Sequence, residues 1–425
     1  MKSNTFLIFW GSQTISLLGS MMTAFALSLW AYEHTGRALT VSLLTLCACL
    51  PYTVFAPLAG ALADRLPKKP LLLIPDAVSA AGTLFALLLF RAGALRIWHL
   101  YGLNLLLGCM NALQGPAAAA AFGLLVPPGD ISRAAGLRSL GDSAVTLISP
   151  VLAAALLGVG GMKVVFLCDL LTFSLAFPCV LLQVKLPETI PQLAPSLRLS
   201  LLEGARYVGK SPGLRQMIVG VAVINLFSRL TYENILTPML LARSGSTAAA
   251  SAVNSMLGLA GLLGGAAVAV DKKRRDPVKM IYGCAALSFL LGDLPMGLGR
   301  NLPVWLLAGF CASFPIPFII SGQNVLFYGT VPAELQGRVY AFKSALQQAT
   351  VPVGLLLGGL LADKVFEPMM ASGSAFSHLL TTLVGTGTGS GMSVMFLCTG
   401  VLGFLFSAIC IRGKSIRALA RQIKK

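Results

Sequence analysis

Residues 38–90 read ALTVSLLTLCACLPYTVFAPLAGALADRLPKKPLLLIPDAVSAAGTLFALLLF. The stretch holds two apolar runs, 38–63 and 71–90, separated by the charged hexapeptide Asp-Arg-Leu-Pro-Lys-Lys at 64–69. A helix needs roughly 20 mostly apolar residues to cross the hydrocarbon core of a bilayer, because its backbone groups must bond within the segment. Each run has that length, so the stretch predicts two membrane-spanning helices joined by a short polar turn.

The same alternation continues along the whole chain, and apolar runs of this length occur twelve times. Their boundaries are 5–31, 38–63, 71–90, 97–126, 134–160, 163–184, 216–242, 248–270, 278–299, 302–328, 338–362 and 390–411. The first run opens after Lys2 alone and is too long for a cleavable signal, so we interpret it as a retained span. The sequence therefore predicts an all-α membrane protein with twelve transmembrane helices.

The composition agrees with a chain that folds in lipid. Of the 425 residues, 56% are hydrophobic and 11% are charged, whereas a typical soluble domain has about 25% charged residues. Too little polar surface is available to cover soluble domains of this total length. The composition excludes a secreted disulfide-stabilised domain, a disordered tail protein and an ordinary cytosolic enzyme.

Positive charge is distributed unevenly between the loops, which predicts the orientation. The chain has 32 Lys and Arg against 15 Asp and Glu, a net charge of +17. With the N-terminus inside, 24 basic residues face the cytoplasm and seven face outward, while Arg229 lies within a span. Cytoplasmic loops carry the excess of Lys and Arg in membrane proteins. We therefore predict a bacterial plasma or inner membrane protein with both termini in the cytoplasm, whose positive charge faces anionic lipid and not nucleic acid.

The sequence contains no pattern typical of a cofactor site or of catalysis. All nine cysteines fall within predicted spans without a C-x-x-C pair, and the three histidines stand apart from one another, so no metal ligands are grouped. No G-x-x-x-x-G-K-[ST] run occurs, which argues against a P-loop nucleotide site. We therefore expect neither a cofactor nor a metal, and we do not expect an enzyme.

The chain divides into two related halves of six runs each. The longest predicted cytoplasmic connection opens with prolines and continues with apolar residues at helical spacing, which predicts an amphipathic helix on the membrane surface. A Val-Pro pair follows the fourth run and occurs again 205 residues later, after the tenth. Parallel six-span repeats are the plan of one large class of transporter. The predicted domains are an N-terminal bundle over 1–184, a linker over 185–215 and a C-terminal bundle over 216–425.

The loop between the second and third runs carries a specific signature. Residues 60–69, Gly-Ala-Leu-Ala-Asp-Arg-Leu-Pro-Lys-Lys, resemble the G-x-L-x-D-R-x-G-R/K-R/K motif of the major facilitator superfamily, with Pro67 in place of the second glycine. The resemblance covers the whole chain. It implies two six-helix bundles that work by alternating access, in which a binding site opens to one side of the membrane and then to the other.

The same resemblance implies a conformational latch at the cytoplasmic ends of the helices. Asp64 would accept hydrogen bonds from the N–H groups that begin the eleventh span. The alternative is that the basic residues of this loop only enforce the topology. The residues assigned to this cytoplasmic gate are Gly60, Asp64, Arg65, Lys68, Lys69 and Arg338.

Within the superfamily, the chain looks most like macrolide-efflux and siderophore-exporter carriers. The resemblance lies in 331–339, VPAELQGRV, and in 361–368, LADKVFEP. It implies a monomeric carrier that exports an amphipathic small molecule (a drug, a macrolide-like or a siderophore-like compound) in exchange for protons. The chain departs from the proton-antiporter patterns at Asn111, where R-x-x-Q-G places arginine, and in the fifth span, which lacks the paired glycines.

Ionisable residues within spans are the first candidates for ion coupling or substrate binding, because charge is costly in hydrocarbon. Arg229 and Glu233 lie one helical turn apart near the middle of the seventh run, so their side chains share a face. In one interpretation, Glu233 is a proton or cation site whose occupancy depends on Arg229 and on bound substrate. In the other, the two residues form a permanent ion pair that fixes packing.

Two further acidic residues are candidates for ion coupling or gating, and each has a structural contact as the alternative. Asp142 lies one turn after Arg138 in the fifth run, where either a local ion pair or a gating contact is expected. Asp169 lies in the outer third of the sixth run. It would either relay protons or bond a neighbouring helix.

The remaining polar candidates carry no charge or lie towards span ends. Asn111 and Gln114 in the fourth run are assigned to a central cavity, with hydrogen bonding between helices as the alternative. Asp76 and Asp293 lie closer to span ends, where we expect them to cap a helix or to reach the membrane interface.

Two alternatives to export remain open at this point. An importer or symporter of a small metabolite would have the same fold and the same span pattern. A non-transporting membrane receptor would have the same hydropathy as well.

Overall fold

The computed structural model describes residues 2–65, 67–126, 131–184, 197–271 and 275–424. Every one of the twelve predicted runs is helical, and no strand occurs in these described ranges. Within them, nine segments are long and apolar enough to cross a membrane, and one of these, Gly141–Gln183, covers most of the fifth and nearly all of the sixth predicted run. The prediction of an all-α membrane protein is therefore confirmed.

The chain forms two compact units, and the first comprises Met1–Gly36 and Leu43–Ala194. Its helices are α1 (Lys2–Thr35), α2 (Ala38–Arg65), α3 (Lys68–Arg91), α4 (Ile97–Leu125) and α5 (Ile131–Gln183). The backbone of α5 is not helical at Gly160 and Gly161. Gly161 has a φ of 65°, which glycine adopts without the steric penalty of a Cβ atom. This break separates the two spans that α5 contains.

The second unit comprises Arg37–Ser42 and Pro195–Lys425, so the start of α2 lies with it. Its helices are α6 (Leu197–Lys210), α7 (Pro212–Thr231), α8 (Leu236–Ser244), α9 (Thr247–Val270), α10 (Lys279–Leu298), α11 (Leu302–Ser313), α12 (Ile316–Thr330), α13 (Ala333–Leu361), α14 (Ala375–Val384), α15 (Ser390–Ile411) and α16 (Lys414–Lys424). The seventh predicted run is divided between α7 and α8, and the tenth between α11 and α12. Helix α13 continues through 362–371.

Two π turns coincide with prolines in the helices of the second unit. One occupies Phe289–Asp293 within α10, two residues before Pro295, and the other occupies Ala362–Phe366 after α13, two residues before Pro368. Proline has no N–H group to donate to the preceding turn, so the helix must adjust locally. Single π turns are frequent at functional sites. These two hold Asp293 and Asp363.

Each unit has its own apolar core. In the first unit, Phe6, Phe9, Leu72 and Val180 pack together, and Met22, Leu87 and Phe166 form another cluster. In the second unit, the core includes Leu214, Met217, Tyr282, Phe327 and Leu419. Many other large apolar side chains are exposed, Leu182, Val270 and Ile409 among them. Apolar exposure on this scale fits helices that face lipid acyl chains.

Helix α6 is the amphipathic helix predicted in the linker, and it packs against α13. A Cβ atom at Gly204 would lie 2.3 Å from the Arg338 carbonyl oxygen, so the two backbones approach closely. Glu203 forms an ion pair with Arg338, and the Tyr207 hydroxyl donates to the Thr330 carbonyl at 3.3 Å. These contacts with α12 and α13 hold the linker helix within the second unit.

Candidate functional site

A cavity of about 390 Å³ lies within the second unit, among α7, α9, α10, α11, α12 and α13. Its walls are largely apolar and include Ile224, Leu257, Phe289 and Ile319. Polar groups interrupt these walls at a few places: Asn225, Ser228, Ser288, Ser313, Gln323 and Gln347. An apolar cavity with a small number of placed polar groups is the usual form of a small-molecule site.

Asp293 lies on the wall of this cavity and is 1% exposed. Its Oδ2 accepts a hydrogen bond from Thr399 Oγ1 at 2.7 Å, and the carboxylate also interacts with the Tyr232 hydroxyl. Among the described residues, no Lys, Arg or His forms an ion pair with it. Our expectation that Asp293 caps a helix or reaches the interface is wrong, because the π turn and the contact with α15 enclose it.

Tyr232 supplies a second polar group beside Asp293. It lies in the turn between α7 and α8 and lines the same cavity, and its buried hydroxyl interacts with the Asp293 carboxylate. The Tyr232 ring packs edge-to-face against Phe396, with ring centroids 5.3 Å apart. Since buried polar groups are nearly always paired, the Tyr232 hydroxyl and the Asp293 carboxylate form one polar pair on the cavity wall.

Two amides face each other on another part of the wall. Gln347 Nε2 on α13 donates to Gln323 Oε1 on α12 at 3.1 Å. This bond does not use the side-chain nitrogen Nε2 of Gln323 or the side-chain oxygen Oε1 of Gln347, so both atoms can bond a ligand or water. These two residues add neutral donors and acceptors to the single acid.

Arg229 and Glu233 form the predicted ion pair, but they do not line this cavity. Helix α7 ends at Thr231, so Glu233 lies in the turn that follows and not within a continuous helix. Glu233 is 37% exposed at its side chain, against 21% for Arg229. The neighbouring Ser228 and Tyr232 do line the cavity, which places the pair next to it.

The first unit contains a hydrogen-bonded acid of its own. The Asp76 carboxylate accepts from Gln13 Nε2 at 3.0 Å and from Gln114 Nε2 at 2.7 Å. The expectation that Asp76 caps a helix or reaches the interface is therefore wrong, since it links α1, α3 and α4. Gln114 was predicted either to line a central cavity or to bond between helices, and it does the second. Two glutamines in apolar runs were the sequence signal for a buried acceptor.

A smaller cavity of about 170 Å³ lies beside this network, among α1, α4 and α5. Gln13, Arg138 and Asp142 all line it. Although Arg138 and Asp142 are both described, they do not form the ion pair that their spacing allows. The expected local pair is therefore absent, and both side chains are available to the cavity.

Asp169 is 5% exposed and bonded to two other helices of the first unit. Thr83 Oγ1 donates to its Oδ2 at 2.9 Å, and Ser20 Oγ donates to its Oδ1 at 3.4 Å. Both carboxylate oxygens thus have partners. Asn111 occupies an exposed position on α4 and is not among the residues that line either cavity.

Most of the predicted cytoplasmic gate lies outside the residues whose side chains are described. This applies to Gly60, Asp64, Arg65 and Lys68. Lys69 Nζ donates to the Leu181 carbonyl at 2.6 Å, and Arg338 pairs with Glu203. The latch at Asp64 stays a prediction.

The nine cysteines are free thiols, and the described residues hold no group of three or more His, Cys, Asp or Glu side chains that could bind a metal ion.

Comparisons with known proteins identify the family. The family model of the Major Facilitator Superfamily matches residues 9–354. Macrolide efflux protein A of Streptococcus pyogenes is 25% identical over 370 residues, which cover 85% of this chain and 90% of that protein. The multidrug efflux pump Tap of Mycolicibacterium fortuitum is 25% identical over 366 residues, covering 81% and 86%.

A solved structure has the same fold. A bacterial homologue of the human lysosomal transporter Spinster, in an inward-facing and unoccupied conformation, aligns with a TM-score of 0.68 and 13% identity over 100% of this chain and 98% of its own. Together with the family match over most of the sequence, this assigns the twelve-helix architecture. The chain belongs to the Major Facilitator Superfamily and is a multi-pass membrane transporter, not an enzyme.

Proposed function

We propose that this transporter exports amphipathic small molecules in exchange for protons. The cavity of about 390 Å³ in the second unit carries the proposal, because its apolar walls and few polar groups match a drug-sized amphipathic ligand. The relatives named for macrolide and multidrug efflux support the direction of transport and the kind of substrate. Macrolide-like and siderophore-like compounds are the first candidates.

The transport cycle follows from the proposed organisation. A six-helix bundle over 1–184 and another over 216–425 alternate access as a monomer, with the linker 185–215 between them. The distribution of Lys and Arg supports an orientation with both termini in the cytoplasm. The Asp64 loop acts as a latch that forms in one conformation and breaks in the other.

Coupling to protons is assigned to Glu233 together with Arg229. Arg229 lies in the last turn of α7 and Glu233 in the turn that follows, next to the cavity, and the Glu233 side chain is partly exposed. Water or a ligand can therefore reach the carboxylate. Protonation of Glu233 neutralises its carboxylate and breaks the ion pair with Arg229. The net charge beside the cavity then changes, and we propose that this change is coupled to the binding and release of substrate. Asp142 and Asp169 are the further candidates in the first unit.

Glu233→Gln is expected to uncouple transport from the pH gradient. Inverted vesicles that contain the wild-type protein should accumulate a radiolabelled macrolide when their lumen is made acidic. The variant should lose this gradient-driven accumulation by about tenfold or more, the size of a typical coupling free energy between two sites. Exchange of labelled for unlabelled macrolide should persist, since the cavity is intact.

Asp276→Asn serves as the control, because Asp276 lies outside the predicted spans and its carboxylate accepts a local hydrogen bond from the Val278 N–H at 2.9 Å. Unchanged accumulation in Glu233→Gln would reject Glu233 as the coupling residue. If no compound moves in response to the gradient even with the wild-type protein, proton exchange itself is wrong.

A further inference from the structure

We propose that Gln323 and Gln347 form a specificity-determining pair in the cavity of the second unit. The pair selects uncharged amphiphiles whose polar group places a hydrogen-bond donor beside an acceptor, as a secondary amide does. This inference rests on the proposed function and narrows its substrate class. It assigns recognition to neutral side chains on α12 and α13, whereas coupling is assigned to the Arg229–Glu233 pair.

The bond between the two amides leaves one donor group and one acceptor atom unused. Gln347 Nε2 donates to Gln323 Oε1, and within the described ranges neither Gln323 Nε2 nor Gln347 Oε1 takes part in a hydrogen bond. If both amides were turned over, the bond between them would reverse its direction, but one NH₂ group and one oxygen would still be unused. In either arrangement, the pair offers a ligand one donor group and one acceptor.

These unused atoms are accessible to a ligand only through the cavity. Both side chains line it, and Gln323 is 6% exposed. A buried polar group that makes no hydrogen bond costs free energy, so the molecule that fills the cavity has to bond the pair. A substrate that displaces water from such a place loses affinity unless it replaces the bonds of that water. A donor beside an acceptor replaces them.

Side-chain amides that only stabilise the packing of helices behave differently in this protein. Three of them donate two hydrogen bonds each through their nitrogen, and they do not line the cavity: Gln114, Asn234 and Asn254. The nitrogen of Gln323 donates no hydrogen bond to any residue that the structure describes. A role in packing therefore does not account for the Gln323–Gln347 pair.

Helices α12 and α13 also have other contacts that hold them together. Only Val331 and Pro332 separate them along the chain. The Phe327 ring is 1% exposed and packs edge-to-face against Tyr340, with ring centroids 6.0 Å apart. The bond between the glutamines instead fixes the direction of each amide. A site whose polar groups are oriented before the ligand arrives binds with a smaller loss of entropy.

The rest of the wall favours a ligand without charge. The Asp293 carboxylate is bonded to Thr399 and lies beside the Tyr232 hydroxyl. The described lining residues include no Lys, Arg or His. A charged group would lose its hydration in this cavity without gaining an unengaged counter-charge. An uncharged amide loses less hydration, and the two glutamines replace the bonds that it gives up.

The test compares two probes that differ by one group of atoms. One is a dansyl-labelled alkyl chain that ends in a piperidinone lactam, and in the other a CH₂ group replaces the lactam N–H, which gives a cyclohexanone. Both are titrated by fluorescence against the full-length protein in nanodiscs. The ratio of lactam to ketone affinity should be about tenfold lower in Gln347→Met than in the wild type, because the acceptor for the lactam N–H is lost. Affinity for the ketone should be retained, which also shows that the variant is folded.

Gln323→Met should weaken the binding of both probes, because both have the carbonyl that accepts from Gln323. Gln348→Met is the matched control, since Gln348 is the next residue on α13 and lines neither cavity. It should keep the wild-type affinities. A measurement on the wild type covers the case that the other variants fail to fold. A lactam probe with a diazirine beside its ring should label peptides of α12 or α13, as identified by mass spectrometry.

A wild-type affinity ratio in both Gln323→Met and Gln347→Met overturns the inference, and so does photolabelling confined to other helices. An equal fall of the ratio in Gln348→Met overturns it as well. Failure of the proposed function has a different signature, namely that vesicles show no gradient-driven transport while the ratio still depends on the glutamines. Gradient-driven transport together with a ratio that does not depend on them leaves export standing and rejects the pair.

Discussion

Gly358→Ala should destabilise the protein by about 1–3 kcal/mol, the usual cost of overpacking a well-packed interior, and should strongly reduce transport. A Cβ atom at Gly358 would lie 2.5 Å from the Leu230 carbonyl oxygen and 2.9 Å from Asn234 Nδ2. The first of these atoms belongs to helix backbone and cannot rotate away. The methyl group therefore has to push α13 away from α7.

The separation also breaks a hydrogen-bonded junction. Asn234 Nδ2 donates to Ser42 Oγ at 2.7 Å and to the Leu355 carbonyl at 2.9 Å. Asn234 is 2% exposed, so bonds that are lost there are not replaced by water. Small residues that allow backbones to approach are a recurrent feature of helix contacts in membranes.

Thermal unfolding of the purified protein and transport into vesicles measure the two effects. Gly265→Ala is the matched control, because Gly265 lies within α9 and its added Cβ would have no atom within 4 Å apart from its chain neighbours and the backbone of its own helix. Alanine favours helix over glycine, so this variant should unfold at the wild-type temperature or above it. The packing argument fails if Gly358→Ala unfolds at the same temperature as Gly265→Ala.

Asp363→Ala should free the start of α2 from the second unit. The Asp363 carboxylate accepts from the Ala38 N–H at 3.1 Å and from the Leu39 N–H at 2.8 Å. These are N–H groups of the first helical turn, which have no partner within their own helix. A hydrogen bond to a charged group contributes about 1.5–3 kcal/mol. The loss of two bonds is therefore expected to raise the equilibrium constant for local opening of this segment by more than tenfold.

Alkylation of a cysteine at position 42 reports this release. Ser42 is 1% exposed, and a Cβ atom at Gly359 would lie 2.5 Å from its Oγ. Ser42→Cys should therefore react slowly with a maleimide, and about tenfold faster or more when Asp363→Ala is added. Peptide mass spectrometry separates this site from the nine natural cysteines. Asp276→Ala in the same background should leave the rate unchanged, and an unchanged rate with Asp363→Ala would show that the carboxylate does not hold the segment.

Several features follow from local sequence alone. Twelve apolar runs predict twelve helical segments, because a backbone in hydrocarbon has to bond within its own segment. The Arg229–Glu233 pair follows from a spacing of four residues, and it forms although the helix ends between the two. The amphipathic repeat in the linker likewise predicts α6. In each case, the groups that interact are neighbours in the chain.

The misjudged residues are those whose partners come from far along the chain. Asp76 is bonded to Gln13, 63 residues away, and Asp293 to Thr399, 106 residues away. Arg138 and Asp142 have the spacing of an ion pair, yet both line a cavity instead of pairing. The spacing of residues along a helix shows which contacts are possible, but the packing of other helices determines which of these contacts form.

The amino-acid sequence by itself predicted that this protein folds in a bilayer. It also predicted the positions of the spans and the few acidic residues that they contain. Only the tertiary structure distinguished among those acids. Donors from two other helices bond both oxygens of Asp169, whereas Asp293 lies on a cavity wall, bonded to Thr399 and beside the Tyr232 hydroxyl. That difference depends on which helices pack together, and hydropathy along one chain does not contain it.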